Sequence, residues 1–93
     1  MMMDQMRETL VALAAEFGIR RVILFGSRAD GTYHESSDVD LIVEFNRPVT
    51  LMQLASLKYR LEESWGLDVD IIHGPVRPDD LIDVKNEVEL YAA

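Results

Sequence analysis

Cysteine is absent from the 93-residue chain, which excludes disulfide bonds and any zinc site built from thiolates. Basic residues are few, with 9 Lys and Arg against 17 Asp and Glu, so the formal net charge is −8. This balance argues against non-specific binding of DNA or RNA, which needs a basic face. Long apolar runs are missing too, because none approaches the ~20 residues of a membrane span. We therefore expect a soluble, cytoplasmic protein that contacts neither nucleic acid nor membrane.

Length and apolar content predict a single domain over residues 1–93 with a modest core. Hydrophobic residues make up 48% of the chain, a fraction ordinary for globular proteins. A first helix is predicted over residues 5–17, capped by Asp4 and ended by Gly18. Its apolar residues recur every three or four positions and form one stripe. The stripe consists of Met6, Leu10, Leu13, Ala14 and Phe17.

Three segments have the pattern of β-strands, over residues 19–25, 39–45 and 67–72. A second helix should run from Thr50, which with Gln53 forms a capping-box pattern, to Trp65, where Gly66 stops it. Its inward side chains are predicted to be Leu51, Leu54, Leu57, Leu61 and Trp65. A last helix is predicted over residues 79–91.

The order of these elements predicts their arrangement. A strand–helix–strand connection usually gives adjacent parallel strands with a right-handed crossover, so the second and third strands should be parallel neighbours. The first strand, joined to the second by a loop, can be antiparallel to it. We therefore expect an α/β (α+β) fold with a small mixed sheet and helices packed on it.

Two aspartates, Asp38 and Asp40, flank Val39 at the start of the second predicted strand. Because side chains alternate between faces along a strand, both carboxylates point to one side, with Cα atoms roughly 7 Å apart. Such carboxylates repel each other unless a cation lies between them. Mg2+ suits oxygen ligands of this kind, and phosphates usually complete its shell. The pair therefore predicts a divalent metal site.

Gly26 and Ser27 form a turn at the end of the first predicted strand, and ten residues separate Ser27 from Asp38. Glycine lets backbone N–H groups approach an anion closely, and the serine hydroxyl can donate to a phosphate oxygen. A phosphate cradle beside metal-binding carboxylates predicts phosphoryl or nucleotidyl transfer.

This spacing of Gly-Ser and Asp-x-Asp resembles the signature of the DNA polymerase β-like nucleotidyltransferase superfamily. Arg28, Ala29 and Gly31 extend the likeness to the Gly-Ser-Arg-Ala-x-Gly form of its minimal nucleotidyltransferase (MNT) branch, which contains the antitoxins paired with HEPN toxins. The resemblance covers nearly the whole chain and implies a fold like the polymerase β palm. Asp30 departs from it, because relatives often carry a second arginine there.

The resemblance also implies roles for individual residues. The catalytic and metal-binding residues would be Asp38, Asp40 and Asp70, and the phosphate-binding residues Gly26, Ser27 and Arg28. Two Mg2+ ions are expected, with Mn2+ as a possible substitute. Asp70 matches the third carboxylate of the superfamily, on the strand after the crossover helix, whereas Asp68 has no counterpart. His34 and His73 lack metal-ligand spacing and are predicted to be ordinary surface or loop residues.

The implied activity is Mg2+-dependent transfer of AMP from ATP to a hydroxyl, with a tyrosine of a HEPN-type toxin as acceptor. Larger relatives add a second domain that holds the acceptor, so we expect a partner chain to complete the site here. An interface near Val88 and Tyr91, on the last predicted helix, is expected for this hetero-oligomer. Two alternatives stay open: a non-catalytic antitoxin that acts by covering the toxin, and a nucleotidyltransferase for small molecules.

Overall fold

A computed structural model of the chain describes residues 3–26, 38–74 and 87–93. These parts contain two helices and four strands. The elements are α1 (Met3–Phe17), β1 (Ile19–Phe25), β2 (Val39–Phe45), α2 (Leu51–Trp65), β3 (Val69–His73) and β4 (Val88–Ala92). The predicted loop over residues 27–37 and most of the predicted last helix lie outside the described residues.

Helix α1 buries the predicted stripe. All five stripe residues are buried, as expected for a helix with one apolar face. The predicted cap is wrong, because the helix begins at Met3 and Asp4 lies in its first turn. There the carboxylate still favours the helix, since it faces the positive end of the helix dipole.

Helix α2 is confirmed at both ends. Thr50 Oγ1 accepts a hydrogen bond from the Gln53 N–H at 3.1 Å, and Gln53 Oε1 accepts one from the Thr50 N–H at 2.8 Å. This reciprocal capping box satisfies two donors that the helix itself cannot pair. Gly66 ends the helix with a φ of 65°, a conformation that side chains with a Cβ disfavour.

The buried stretch of α2 is shorter than predicted. Leu57, Leu61 and Trp65 are buried, but Leu51 is 84% exposed. At 3.6 residues per turn, Leu51 lies only about 40° around the helix axis from Trp65, so its direction does not explain this exposure. Leu51 is the first residue of the helix, more than one turn before Leu57, and it lies beyond the buried stretch, so the prediction that it faces the core is wrong.

The sheet has the order β3-β2-β1-β4. Strands β1 and β2 are antiparallel, and β2 and β3 are parallel, which confirms the predicted mixed sheet. The right-handed crossover rule applies to this β2–α2–β3 unit. Strand β3 begins at Val69, two residues later than predicted.

The carboxyl-terminal segment corrects a second prediction. Residues from Val88 onward form strand β4, antiparallel to β1, and not the end of a helix. The free edge of β1 supplies backbone partners, and pairing with it overrides local helical preference. An irregularity in the register lets Leu90 and Tyr91 both pack on the core. Val88 and Tyr91 therefore pack partly on this chain's own core. The predicted helix is wrong at these residues, and the partner interface expected near them stays a prediction.

The core lies between the two helices and one face of the sheet. Its fully buried sheet residues include Val39, Leu41 and Val43, which alternate along β2 as predicted. Across the ranges described above, neither helix is long and apolar enough to cross a membrane.

Candidate active site

The predicted site residues that the structure describes lie at one end of the sheet. Strand β1 ends there, whereas β2 and β3 begin there, because β1 runs antiparallel to the other two. Phe25 of β1 stands opposite Asp40 of β2, and Asp40 stands opposite Asp70 of β3. Three strands therefore contribute neighbouring residues to a single row.

Asp40 and Asp70 are register partners on parallel strands. Neighbouring strands lie about 4.8 Å apart, and paired residues project to the same face. Asp38 precedes β2 by one residue and is exposed, whereas Asp40 is half-buried and Asp70 is exposed. The fold therefore brings together two carboxylates that are thirty positions apart in the sequence.

The electrostatics of the site centre on Asp40. Burial raises the pKa of the Asp40 carboxyl above its ordinary value of 3.8, and the charges of Asp70 and then Asp38 raise it further. Both effects disfavour the ionised form. A cation bound among these carboxylates would reverse this penalty, so the donor set fits a hard divalent ion.

The backbone of Gly26 lies close to the side chain of Asp40. Its φ is 78°, and a Cβ built on it would lie 2.6 Å from Asp40 Oδ2. A side chain at this position would therefore suffer backbone strain and displace the carboxylate. The predicted glycine turn and the predicted carboxylate meet in the fold. Ser27 and Arg28, the other two predicted phosphate contacts, lie outside the described residues.

No group of three or more His, Cys, Asp or Glu side chains in residues 3–26, 38–74 and 87–93 is arranged to hold a metal ion. The three aspartates share one end of the sheet, but their carboxylates do not converge on a common point. The fit to a divalent ion therefore rests on the chemistry of the donors and on the pairing of Asp40 with Asp70.

Sequence reasoning missed the residue that secures the start of β3. Glu62 lies half-buried near the end of α2, and its Oε2 accepts a hydrogen bond from the Val69 N–H at 3.0 Å. Val69 immediately precedes Asp70. The sequence feature that could have indicated this role is a glutamate in the last turn of a helix, just before a strand that carries an aspartate.

The two residues left out of the predicted site differ in position. The side chain of Asp68 is exposed just before β3. His73 ends β3, where its ring meets the ring of Phe45 edge-on at a centroid distance of 5.3 Å. This contact gives His73 a packing role at the far end of the strand from Asp70. His34 lies outside the described residues.

Comparison of the sequence with known families gives one match along most of the chain. The family described as "Nucleotidyltransferase domain" matches residues 5–91. A relative from Methanocaldococcus jannaschii, provisionally named a protein adenylyltransferase, is 35% identical over 77% of each chain. The protein adenylyltransferase MntA of Thermococcus cleftensis is 38% identical over 64% of this chain and 61% of its own length.

Solved structures share the fold. A chain provisionally described as a minimal nucleotidyltransferase superposes with a TM-score of 0.65 at 41% identity, covering 78% of each chain. A toxin–antitoxin complex with AMP-PNP gives 0.70 at 20% identity, covering 94% of this chain and 73% of the other. A tri-AMPylated HEPN toxin of Shewanella oneidensis with its MNT antitoxin gives 0.66 at 16% identity, with coverage of 99% and 74%.

Proposed function

Because this chain belongs to the nucleotidyltransferase domain family and is a nucleotidyltransferase, we propose that it transfers AMP from ATP to a tyrosine hydroxyl of a HEPN-type toxin. The modification would inactivate the toxin, so the chain would act as its antitoxin. The observation that carries this proposal is the pairing of Asp40 with Asp70 beneath the Gly26 turn.

The names of similar proteins support a toxin protein as the acceptor and ATP as the donor of the AMP group. Relatives are named for protein adenylylation, one structural neighbour is a toxin–antitoxin complex with an ATP analogue, and another contains an AMPylated HEPN toxin. The acidic character of this chain, with a net charge of −8, also favours a basic protein partner.

The reaction would form one bond and break one. The acceptor oxygen attacks the α-phosphorus of ATP, the bond between the α-phosphorus and the bridging oxygen breaks, and pyrophosphate leaves. Asp70, which is exposed on β3, would take the proton of the acceptor hydroxyl. Gly26 brings backbone N–H groups close to the phosphates, and Ser27 and Arg28 complete the cradle.

The carboxylates of Asp38, Asp40 and Asp70 would hold Mg2+, with Mn2+ as a substitute. When bound, the metal neutralises phosphate charge and lowers the pKa of the attacking hydroxyl. The raised pKa of Asp40 supports this role, because burial and neighbouring charge make its bare ionised form unfavourable.

Intact mass spectrometry of the cognate HEPN-type toxin, co-expressed with this chain, tests the proposal. The toxin should gain the mass of one or more AMP groups and stay inactive after this chain is removed, because the ester is covalent. The Asp38→Ala, Asp40→Ala double variant should leave the toxin unmodified. Asp68→Ala is the matched control, since it removes a nearby exposed carboxylate and should keep full transfer.

A covering antitoxin gives the opposite result. The toxin would show no added mass, would regain activity on dissociation, and would be fully neutralised by the double variant. Transfer to small molecules would instead appear as ATP-dependent adenylylation of a small acceptor, with release of pyrophosphate, while the toxin mass stays unchanged. Either outcome would overturn the proposal.

A further inference from the structure

Asp70 lies near the start of β3. Among the described strands, β3 is at an edge of the sheet, next to β2. Asp70 is the second residue of this five-residue strand. Edge strands are held by fewer backbone hydrogen bonds than central ones, so the position of Asp70 depends on how the start of β3 is fixed.

One peptide group fixes that start from both sides. The Asp68 carbonyl accepts a hydrogen bond from the Val39 N–H of β2 at 2.8 Å. The N–H of the same planar peptide group, on Val69, donates to Glu62 Oε2 at 3.0 Å. The group is thus held between β2 and α2, directly before Asp70.

Glu62 is itself well anchored. Its backbone carbonyl accepts the Gly66 N–H at 2.8 Å, which closes the last turn of α2. The following strand residue, Val69, is fully buried. A hydrogen bond from an amide to a carboxylate is stronger than one between neutral groups. The end of the helix is therefore tied to the strand that carries Asp70.

We propose that Glu62 is a positioning residue for Asp70, acting through the Val69 N–H to hold the β3 carboxylate in register with Asp40. This inference rests on the proposed function for the role of Asp70. A glutamate that merely stabilised the fold would change the amount of folded protein and leave the turnover of each folded molecule intact.

Glu62→Ala, Glu62→Gln and Glu62→Asp separate these roles in transfer to the HEPN-type toxin. Glu62→Ala should lower kcat by about 10- to 100-fold, the usual loss for a residue that orients a metal ligand. At saturating Mg2+, the KM for ATP should stay within about twofold, because the Gly26 turn that contacts the phosphates is unchanged. Glu62→Gln keeps an acceptor oxygen at the same reach and should restore kcat, whereas Glu62→Asp is too short and should not.

Glu63→Ala is the matched control. Glu63 is exposed on the same helix and accepts a hydrogen bond from the Tyr59 hydroxyl at 2.7 Å, away from β3. This variant should keep the wild-type kcat. Equal losses in Glu62→Ala and Glu63→Ala, or an unchanged kcat in Glu62→Ala, would overturn the inference. So would a Glu62→Gln variant as impaired as Glu62→Ala.

Titration of the nucleotide-free protein with Mn2+ alone provides a readout that needs no transfer. Glu62→Ala should bind Mn2+ about 10- to 100-fold more weakly than wild type, and Glu62→Gln should bind it normally. If wild type transfers no AMP but this pattern holds, the proposed function fails and the role of Glu62 stands. If wild type transfers AMP and the Glu62 variants match it in kcat and Mn2+ affinity, only this inference fails.

Discussion

The two faces of the sheet are built from the same strands but hold different kinds of residue. On the helix-covered face, β2 contributes Val39, Leu41 and Val43, all fully buried. On the other face, the same strand contributes Asp40 and Glu44, which are only half-buried. Ile42 is the exception, being apolar and buried between these two acidic residues.

This difference shows how a small domain separates stability from chemistry. Because side chains alternate along a strand, neighbouring residues of β2 serve opposite purposes. Like charges at Asp40 and Asp70 destabilise the folded chain, and burial of apolar residues on the other face offsets that cost. Substitutions on the two faces should therefore have separable effects.

The largest contrast is expected between Leu41→Ala and Asp40→Asn, two adjacent positions on opposite faces. Leu41→Ala removes a fully buried side chain and should lower the free energy of unfolding by about 2–5 kcal/mol. Asp40→Asn should leave the free energy of unfolding within about 1 kcal/mol of wild type. It should lower AMP transfer by more than about 100-fold, since a lost metal ligand should cost more than a lost supporting residue. Urea unfolding and transfer assays on both variants measure this. Similar stability losses in the two would contradict the separation.

The Gly26 turn is expected to show the next largest effect. Gly26→Ala meets a positive φ and the Asp40 carboxylate, whereas Gly66→Ala meets a similar φ with no atom within 4 Å of the added Cβ. Each should lose about 1–2 kcal/mol of stability from backbone strain. Only Gly26→Ala should also displace Asp40 and lower transfer. Thermal unfolding of the two variants measures the backbone strain, and their kcat values measure the displacement of Asp40. Equal kcat values for Gly26→Ala and Gly66→Ala would contradict a contact between residue 26 and Asp40.

A smaller effect concerns the pH dependence of stability without metal. Because the pKa of Asp40 is raised in the folded state, the protonated group stabilises the fold below its ordinary pKa of 3.8. This contribution is lost as the pH rises through the raised value. Asp40→Asn should thus match wild type in acid and exceed it at neutral pH by about 1 kcal/mol or less, because solvent screens a half-buried group. Urea unfolding across this range, with chelator present, measures the difference; a constant difference would contradict it.

The smallest effect is expected at Arg21, which lies among acidic residues on the polar face. Its guanidinium pairs with Glu44 at 3.5 Å on β2 and with Glu89 at 3.3 Å on β4. Arg21→Gln should cost about 0.2–0.5 kcal/mol in total, and about 1 M salt should remove most of the difference. Transfer should be unchanged. A salt-independent loss measured by urea unfolding would indicate a packing role instead.

Sequence patterns predicted the elements that are set by neighbouring residues. The α1 stripe, the Thr50 capping box and the alternation of β2 all follow from spacings of one to four residues, and the structure confirms them. Strand β4 was predicted as a helix, because its conformation depends on pairing with β1, about seventy residues earlier in the sequence. Leu51 was predicted to face inward, because its spacing did not show that the packed part of α2 begins later in the helix.

By itself, the sequence determined which residues could do chemistry: the Gly-Ser turn, the Asp-x-Asp pair and the apolar strands around them. Tertiary structure decided which of them meet. The register of β2 with β3 pairs Asp40 with Asp70, and the turn that follows β1 places Gly26 beside Asp40. It also decided that Glu62 of α2 holds the strand of Asp70. Local conformation follows from nearest neighbours along the chain, whereas contacts between distant residues depend on packing and backbone pairing across the whole fold.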